Sequence, residues 1–201
     1  MIRVLLADDE NLIRSALAQM LDLEDDLQVV AEAANGADAL AAARATTPDV
    51  AVLDLQMPDQ DGITVAEELA STLPGCRCVI VTSHGWPGYL KRALASGVKG
   101  FLPKTTSAAT LAQVVRIVHA GGRHVDPELA AEAIAAGDSP LTPREADVLE
   151  AAAGGAPVED IARMVHLTPG TVRNYLSSAA AKLGAGNRHE AAVTARRMGW
   201  I

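Results

Sequence analysis

Cysteine is almost missing from this chain of 201 residues: Cys76 and Cys78 are the whole complement. They stand two positions apart on a predicted strand, so they share a face and are poorly placed to bridge each other. A disulfide framework is excluded. With no third thiol and no nearby histidine pair, a four-ligand zinc site is excluded too, and reduced thiols are expected. Long apolar runs are also missing. None approaches the roughly 18–20 residues that a membrane span needs, and no charged-then-apolar signal precedes Ile2. A cytoplasmic protein without a membrane partner is therefore expected. Excess positive charge is the third absence: the net charge of −8 argues by itself against nucleic acid. No repeat or low-complexity tract stands out beyond a general excess of alanine.

What is present divides the chain in two. A 49% hydrophobic content allows a core in each of two domains at this length. Residues 1–138 carry ten Lys/Arg against nineteen Asp/Glu, whereas residues 139–201 carry seven against six. Within 163–197 lie Arg163, Arg173, Lys182, Arg188, Arg196 and Arg197, with Glu190 the lone acid. An acidic first domain joined to a basic stripe is the asymmetry of a phosphate-contacting module on an acidic carrier.

The first region alternates short apolar runs with helical patterns. Strands are predicted near 2–7, 27–32, 49–54, 77–82 and 98–102, and helices near 11–22, 36–45, 62–72, 87–96 and 107–119. Five βα repeats imply an α/β fold, a doubly wound five-stranded parallel sheet. The chemistry gathers at predicted strand ends, where ligands bind in such sheets. The run Val50-Ala51-Val52-Leu53 closes on Asp54, and the run from Ile2 to Ala7 on Asp8-Asp9-Glu10. Cys78 to Val81 leads to Thr82 and Ser83, and Val98 to Leu102 is followed by Lys104. Carboxylates, a hydroxyl and an amine at four strand ends suit a divalent cation and phosphoryl transfer to an aspartate. Three carboxylates together repel by about 4 kcal/mol per pair at about 4 Å and an effective dielectric near 20. They call for a hard cation with oxygen ligands, and Mg²⁺ is expected.

This constellation, with Leu53-Asp54-Leu55-Gln56-Met57-Pro58 and Asp61-Gly62, resembles the receiver domain of two-component response regulators. The resemblance implies the flavodoxin-like strand order 2-1-3-4-5. It makes Asp54 the phosphoacceptor and a sensor histidine kinase the donor. It implies a metal site in which Asp9 and Asp54 coordinate directly, Asp8 acts mainly through water, and the Gln56 backbone carbonyl adds a ligand. Thr82 becomes the switch hydroxyl, Phe101 the switch aromatic and Lys104 the invariant lysine; without the resemblance Phe101 reads as plain core. Gln56 and His84 fall where such domains tune the lifetime of the acyl phosphate. A receiver catalyses its own Mg-dependent modification and is otherwise no enzyme. Many receivers follow the lysine with a proline in a cis peptide; Thr105 stands there instead, and a non-proline cis bond costs about 3 kcal/mol. A haloacid-dehalogenase-type phosphatase also uses an aspartate nucleophile, but it needs a general acid two residues later, where this chain has Gln56.

Asp126-Pro127 opens a short helical pattern from Glu128 to Ala136, read with its surroundings as a linker over 121–138. Thr142, Pro143 and Glu145 form an N-cap, a first-turn proline and a capping-box acid. Pro157 opens a helix to about Val165, Thr168-Pro169 another to about Leu183, and a last helix is expected over 188–198. The His166-Leu167-Thr168 connection fits a helix-turn-helix. Leu141-Thr142-Pro143-Arg144-Glu145, Ile161-Ala162, Thr171-Val172-Arg173-Asn174-Tyr175-Leu176 and Lys182-Leu183 resemble the NarL/FixJ (LuxR-type) helix-turn-helix. Asn174-Tyr175 is similar to a DesR-like subgroup linked to membrane-fluidity sensing. The resemblance implies an all-α domain over 139–201 after a receiver over 1–120. Arg173, Asn174 and Ser177 then face the bases of a double-stranded DNA operator, Lys182 faces phosphate, and Val172, Leu176 and Leu183 pack inward.

The function expected is a transcriptional regulator that dimerises on phosphorylation. Such relatives pair through their first and fifth helices, here Leu12, Ile13 and Leu17 with Val114, Val115 and Val118, some of which must be core. A phosphorylation-independent receiver-type adaptor is the alternative of another class.

Overall fold

A computed structural model describes residues 1–83 and 85–201. His84 lies outside the described residues. Two compact units are present: Met1–Gly85 with Arg92–Ala130, and Trp86–Lys91 with Ala131–Ile201.

The first unit is built on a parallel sheet of β1 (Ile2–Ala7), β2 (Leu27–Ala33), β3 (Val50–Asp54), β4 (Arg77–Thr82), β5 (Gly100–Pro103) and β6 (His124–Val125). The helices of this region are α1 (Asn11–Asp22), α2 (Gly36–Thr46), α3 (Gly62–Thr72), α4 (Pro87–Ala95) and α5 (Ala108–His119). The order β2-β1-β3-β4-β5-β6 corrects the expected five strands to six. The addition is a two-residue edge strand, in which His124 and Val125 pair with Gly100 and Phe101 inside the stretch read as linker. Two residues are too few to show a period of two, so sequence pattern could not reveal it.

β3 is buried at all five positions, as a central strand covered on both faces must be, and its apolar run follows from that. Val4, Leu6, Val50, Val52, Val79 and Val81 pack with Leu111, Val114, Val115 and Val118 of α5. Val114, Val115 and Val118 therefore belong to the core, which removes them from the expected dimer surface. On α1, Leu12 is 84% exposed while Ile13 and Leu17 are half-buried. Cys76 and Cys78 are free and buried. A hydrogen bond between their thiols lowers the pKa of Cys76 and, with burial, raises that of Cys78 well above the ordinary thiol. Among the described residues no peptide bond is cis, Lys104–Thr105 included, and no helix is long and apolar enough to cross a membrane.

α6 (Pro127–Ala135) precedes the helical unit of α7 (Pro143–Ala152), α8 (Val158–Met164), α9 (Pro169–Lys182) and α10 (Arg188–Met198). Thr142, Thr168 and Asn187 cap α7, α9 and α10 by accepting from the backbone three residues on. The turn between α8 and α9 places His166 at φ +53°, a left-handed conformation that tightens the connection. Val148, Leu149, Ile161, Val172, Leu176 and Ala195 form the core of this unit.

Candidate functional site

Adjacency of β1 and β3 brings the residues after β1 against the end of β3. Carboxylate oxygens of Asp8, Asp9 and Asp54 all lie within 4.8 Å of one another. Asp8 and Asp54 are buried and Asp9 is exposed. Local bonds hold the strand ends in place. Asp8 Oδ1 accepts from the Glu10 N–H at 2.8 Å, and the Asp8 carbonyl accepts from Arg14 at 2.6 Å. Gly62 N–H donates to the Leu55 carbonyl at 3.0 Å. A Cβ on Gly62 would sit 2.2 Å from the Asp54 carbonyl oxygen, so the start of α3 lies directly against β3 only because no side chain intervenes. Asp61 caps that helix through the Thr64 N–H at 2.7 Å.

Lys104 reaches in from beyond β5. Its Nζ is 2.9 Å from Asp8 Oδ2, Asp54 Oδ2 and Glu10 Oε1. The approach to Asp8 is not aligned for a hydrogen bond, which leaves the buried Asp8 Oδ2 with an ionic neighbour but no directed donor. Burial pushes the Asp54 carboxyl above its ordinary pKa; the Lys104 hydrogen bond and charge pull it back, and Asp8 adds to the rise. Burial alone would lower the Lys104 ammonium, but Glu10, Asp8 and Asp54 outweigh it and hold the pKa well above the usual lysine value. One cation thus faces three acids. Buried anionic oxygens left short of donors, all of them hard ligands, fit a hard divalent cation.

The Lys104 N–H donates to the Thr82 carbonyl at 2.8 Å, so the ends of β4 and β5 are stitched together. Thr82 is buried, and Phe101 is fully buried on β5 opposite Ile80. The Gln56 side chain is exposed, and its N–H donates to Asp54 Oδ1 at 3.3 Å. Asp8, Asp9, Asp54, Gln56, Thr82 and Lys104 lie at or just beyond the C-terminal ends of β1, β3, β4 and β5, whereas Phe101 lies within β5 and His84 is outside the described residues. Glu10 is an addition: it was legible as the third acid of Asp8-Asp9-Glu10, but not as a partner of Lys104.

On α9, Arg173, Asn174 and Ser177 form an exposed face, while Val172 and Leu176 are buried and Leu183 is half-buried. Arg173 Nη2 donates to Glu159 Oε1 of α8 at 3.2 Å. Lys182 is exposed and makes a contact within the fold. Its Nζ donates to Glu145 Oε2 at 2.6 Å, which ties the end of α9 to the start of α7. Glu145 is 4% exposed. It accepts from the Thr142 N–H at 2.7 Å, the Thr142 hydroxyl at 2.9 Å and the Ser178 hydroxyl at 2.6 Å as well. Lys182 first, then Ser178 and Thr142, hold its carboxyl down to about 2.

Comparison with known proteins agrees with this division. Residues 4–116 match the response regulator receiver domain and residues 139–195 the bacterial regulatory proteins of the luxR family. The chain is 40% identical over 201 residues to the transcriptional regulatory protein DesR of Bacillus subtilis (strain 168), covering 100% of both. It is 41% identical over 203 residues to the transcriptional regulatory protein YvfU of the same organism, again covering 100% of both. Among solved structures, the response regulator ChrA of a heme-sensing two-component system superposes with a TM-score of 0.60 at 32% identity, over 100% of this chain and 98% of the other.

Proposed function

The chain belongs to the response regulators that join a receiver domain to a LuxR-type DNA-binding domain, and on that premise we propose that Asp54 takes a phosphoryl group from a sensor histidine kinase to control operator binding. The observation that carries this reading is the convergence of Asp8, Asp9 and Asp54 on one sheet edge with Lys104 against them. The boundaries that go with it are a receiver over 1–120, a linker over 121–138 and a DNA-binding domain over 139–201, in a cytoplasmic protein.

Asp54 Oδ1 is held by the Gln56 N–H and Oδ2 by Lys104, which orients the carboxylate as a nucleophile toward the strand-end opening. Asp8, Asp9, Asp54 and the Gln56 backbone carbonyl would hold Mg²⁺, which would supply positive charge against the carboxylates and the phosphoryl oxygens. Lys104 offsets part of the remaining negative charge. Thr82 donates its hydroxyl to the new phosphoryl group, and Phe101, already buried on β5, repacks into the space that Thr82 leaves. On DNA, Arg173 bonds a guanine edge and Asn174 an adenine edge, with Ser177 beside them in the major groove.

A helical module with nearly balanced charge binds one half-site weakly at physiological salt, so two copies held together are needed; linkage can raise affinity by about 10²–10⁴. The exposed face of α1, where Leu12 and Met20 stand out with the following Leu23, supports a homodimer surface, with Ile13 at its margin. Asp54→Asn tests the reading. Incubation with acetyl phosphate and Mg²⁺ is expected to add one phosphoryl mass to the wild type and none to the variant. A mass shift retained in the variant moves the chemistry elsewhere, and no shift in either, with a kinase also present, favours the phosphorylation-independent adaptor.

A further inference from the structure

Glu159 and Asp160 open α8, and carboxylates are favoured at the positive end of a helix. Their partners differ. Asp160 pairs with Arg163, one turn along the same helix. Glu159 reaches across the motif instead, accepting from Arg173 Nη2 at 3.2 Å, so that a carboxylate of the first helix meets the arginine read as facing a base. Both side chains are well over half exposed. A pair so exposed adds little to stability, which leaves the fold without a reason for it. Glu190, the one acid between 163 and 197, is turned instead to the Gly186 N–H at 2.8 Å.

Arginine presents five N–H donors in a planar fork, and Glu159 uses only one side of Nη2. The donors left over suffice for two parallel bonds to O6 and N7 of guanine while the carboxylate keeps the plane from rotating. On a phosphate the balance reverses. An Arg173 laid on the DNA backbone would carry the Glu159 carboxylate toward phosphate oxygens, where like charges repel. We propose that Glu159 is a specificity residue of the DNA-binding unit, positioning Arg173 for a base edge and penalising its use as a phosphate clamp. The inference rests on Arg173 reading a base, as proposed above. Non-specific binding draws almost wholly on phosphate contacts and is the quantity such a carboxylate suppresses.

The test uses the full chain activated with beryllofluoride and a randomised duplex library, comparing wild type, Glu159→Gln, Arg173→Ala and the double variant. Glu159→Gln is expected to bind random duplex about two- to fivefold tighter and the best selected sequence within about twofold of wild type. Its base preference is expected to relax at the one position that Arg173→Ala erases, and to change nothing further in the Arg173→Ala background. A purely structural acid would not move a single base position. If Arg173→Ala erases one position while Glu159→Gln leaves both profile and ratio unchanged, Glu159 is only a helix-end acid and the proposal fails alone. Lost preference at a different position makes Glu159 itself a base contact and also overturns it. If Arg173→Ala erases no position, the reading of Arg173 fails and the inference goes with it.

Discussion

Each half of the chain sets a buried carboxylate against a lysine, and the two carboxylates become chemical opposites. Asp54 shares Lys104 with Asp8 and Glu10, so one ammonium serves three acids, and burial drives the Asp54 pKa up. Glu145 has Lys182, Ser178 and two Thr142 donors to itself, and its pKa falls to about 2. A carboxylate whose lone pairs are all occupied is a fastening. One crowded by other acids and short of donors is open to a cation or an electrophile. Proximity of an acid to a lysine therefore does not distinguish a site from a strut; the ratio of donors to acids does.

The contrast can be broken in several ways. The largest effect is expected from Asp9→Ala, which thins the acidic cluster without removing a core side chain: Mg²⁺-dependent labelling of Asp54 is lost while the circular dichroism spectrum stays that of wild type. Undiminished labelling would show that Asp9 is not needed to hold the cation. Next, the same neutralisation should have opposite signs in the two units. Glu145→Gln removes the capping acid and is expected to cost about 2 kcal/mol, whereas Asp54→Asn relieves repulsion and is expected to stabilise by about 1 kcal/mol without divalent cations. Urea unfolding followed separately for each unit decides this, and equal signs would end the comparison.

Acid should separate the two as well. Glu145 is depressed from an ordinary 4.5 to about 2, so its contribution is full above 4.5 and is lost as the pH falls toward 2. Asp54 is raised above 3.8, so its term favours folding below 3.8 and is lost as the pH rises through the folded value. Glu145→Gln should accordingly flatten the acid limb of the helical unit's unfolding profile, and a profile unchanged by it would contradict the fastening. The smallest effect concerns Lys182→Ala, expected to cost about 1 kcal/mol of stability and to leave the salt slope of DNA binding unchanged. A slope reduced by about one would return Lys182 to the phosphates.

Much of this was legible because strand ends announce themselves. Apolar runs closing on Asp8, Asp54, Thr82 and near Lys104 gave both the sheet and the edge at which its chemistry gathers, and short-range signals gave the Thr142 cap with its Glu145 acid. What escaped depends on contacts between residues distant in sequence or on which face of a helix turns inward. Nothing local says that Ser178 and Lys182 close on Glu145 from 33 and 37 residues away, or that Glu10 meets Lys104 across 94. Leu12 and Val115 are both apolar helix residues in amphipathic patterns, yet one faces outward and the other is core. The order of packing layers, which only the tertiary fold supplies, separates them.

Gly62 carries a consequence for descent as well as for packing. With 2.2 Å between its absent Cβ and the Asp54 carbonyl oxygen, any replacement of this glycine must push α3 off β3. The exposed Gln56, Pro58 and Asp59 just before it meet no such limit. That limit is set by backbone packing, so it holds in a lineage released from phosphotransfer as much as in one that keeps it.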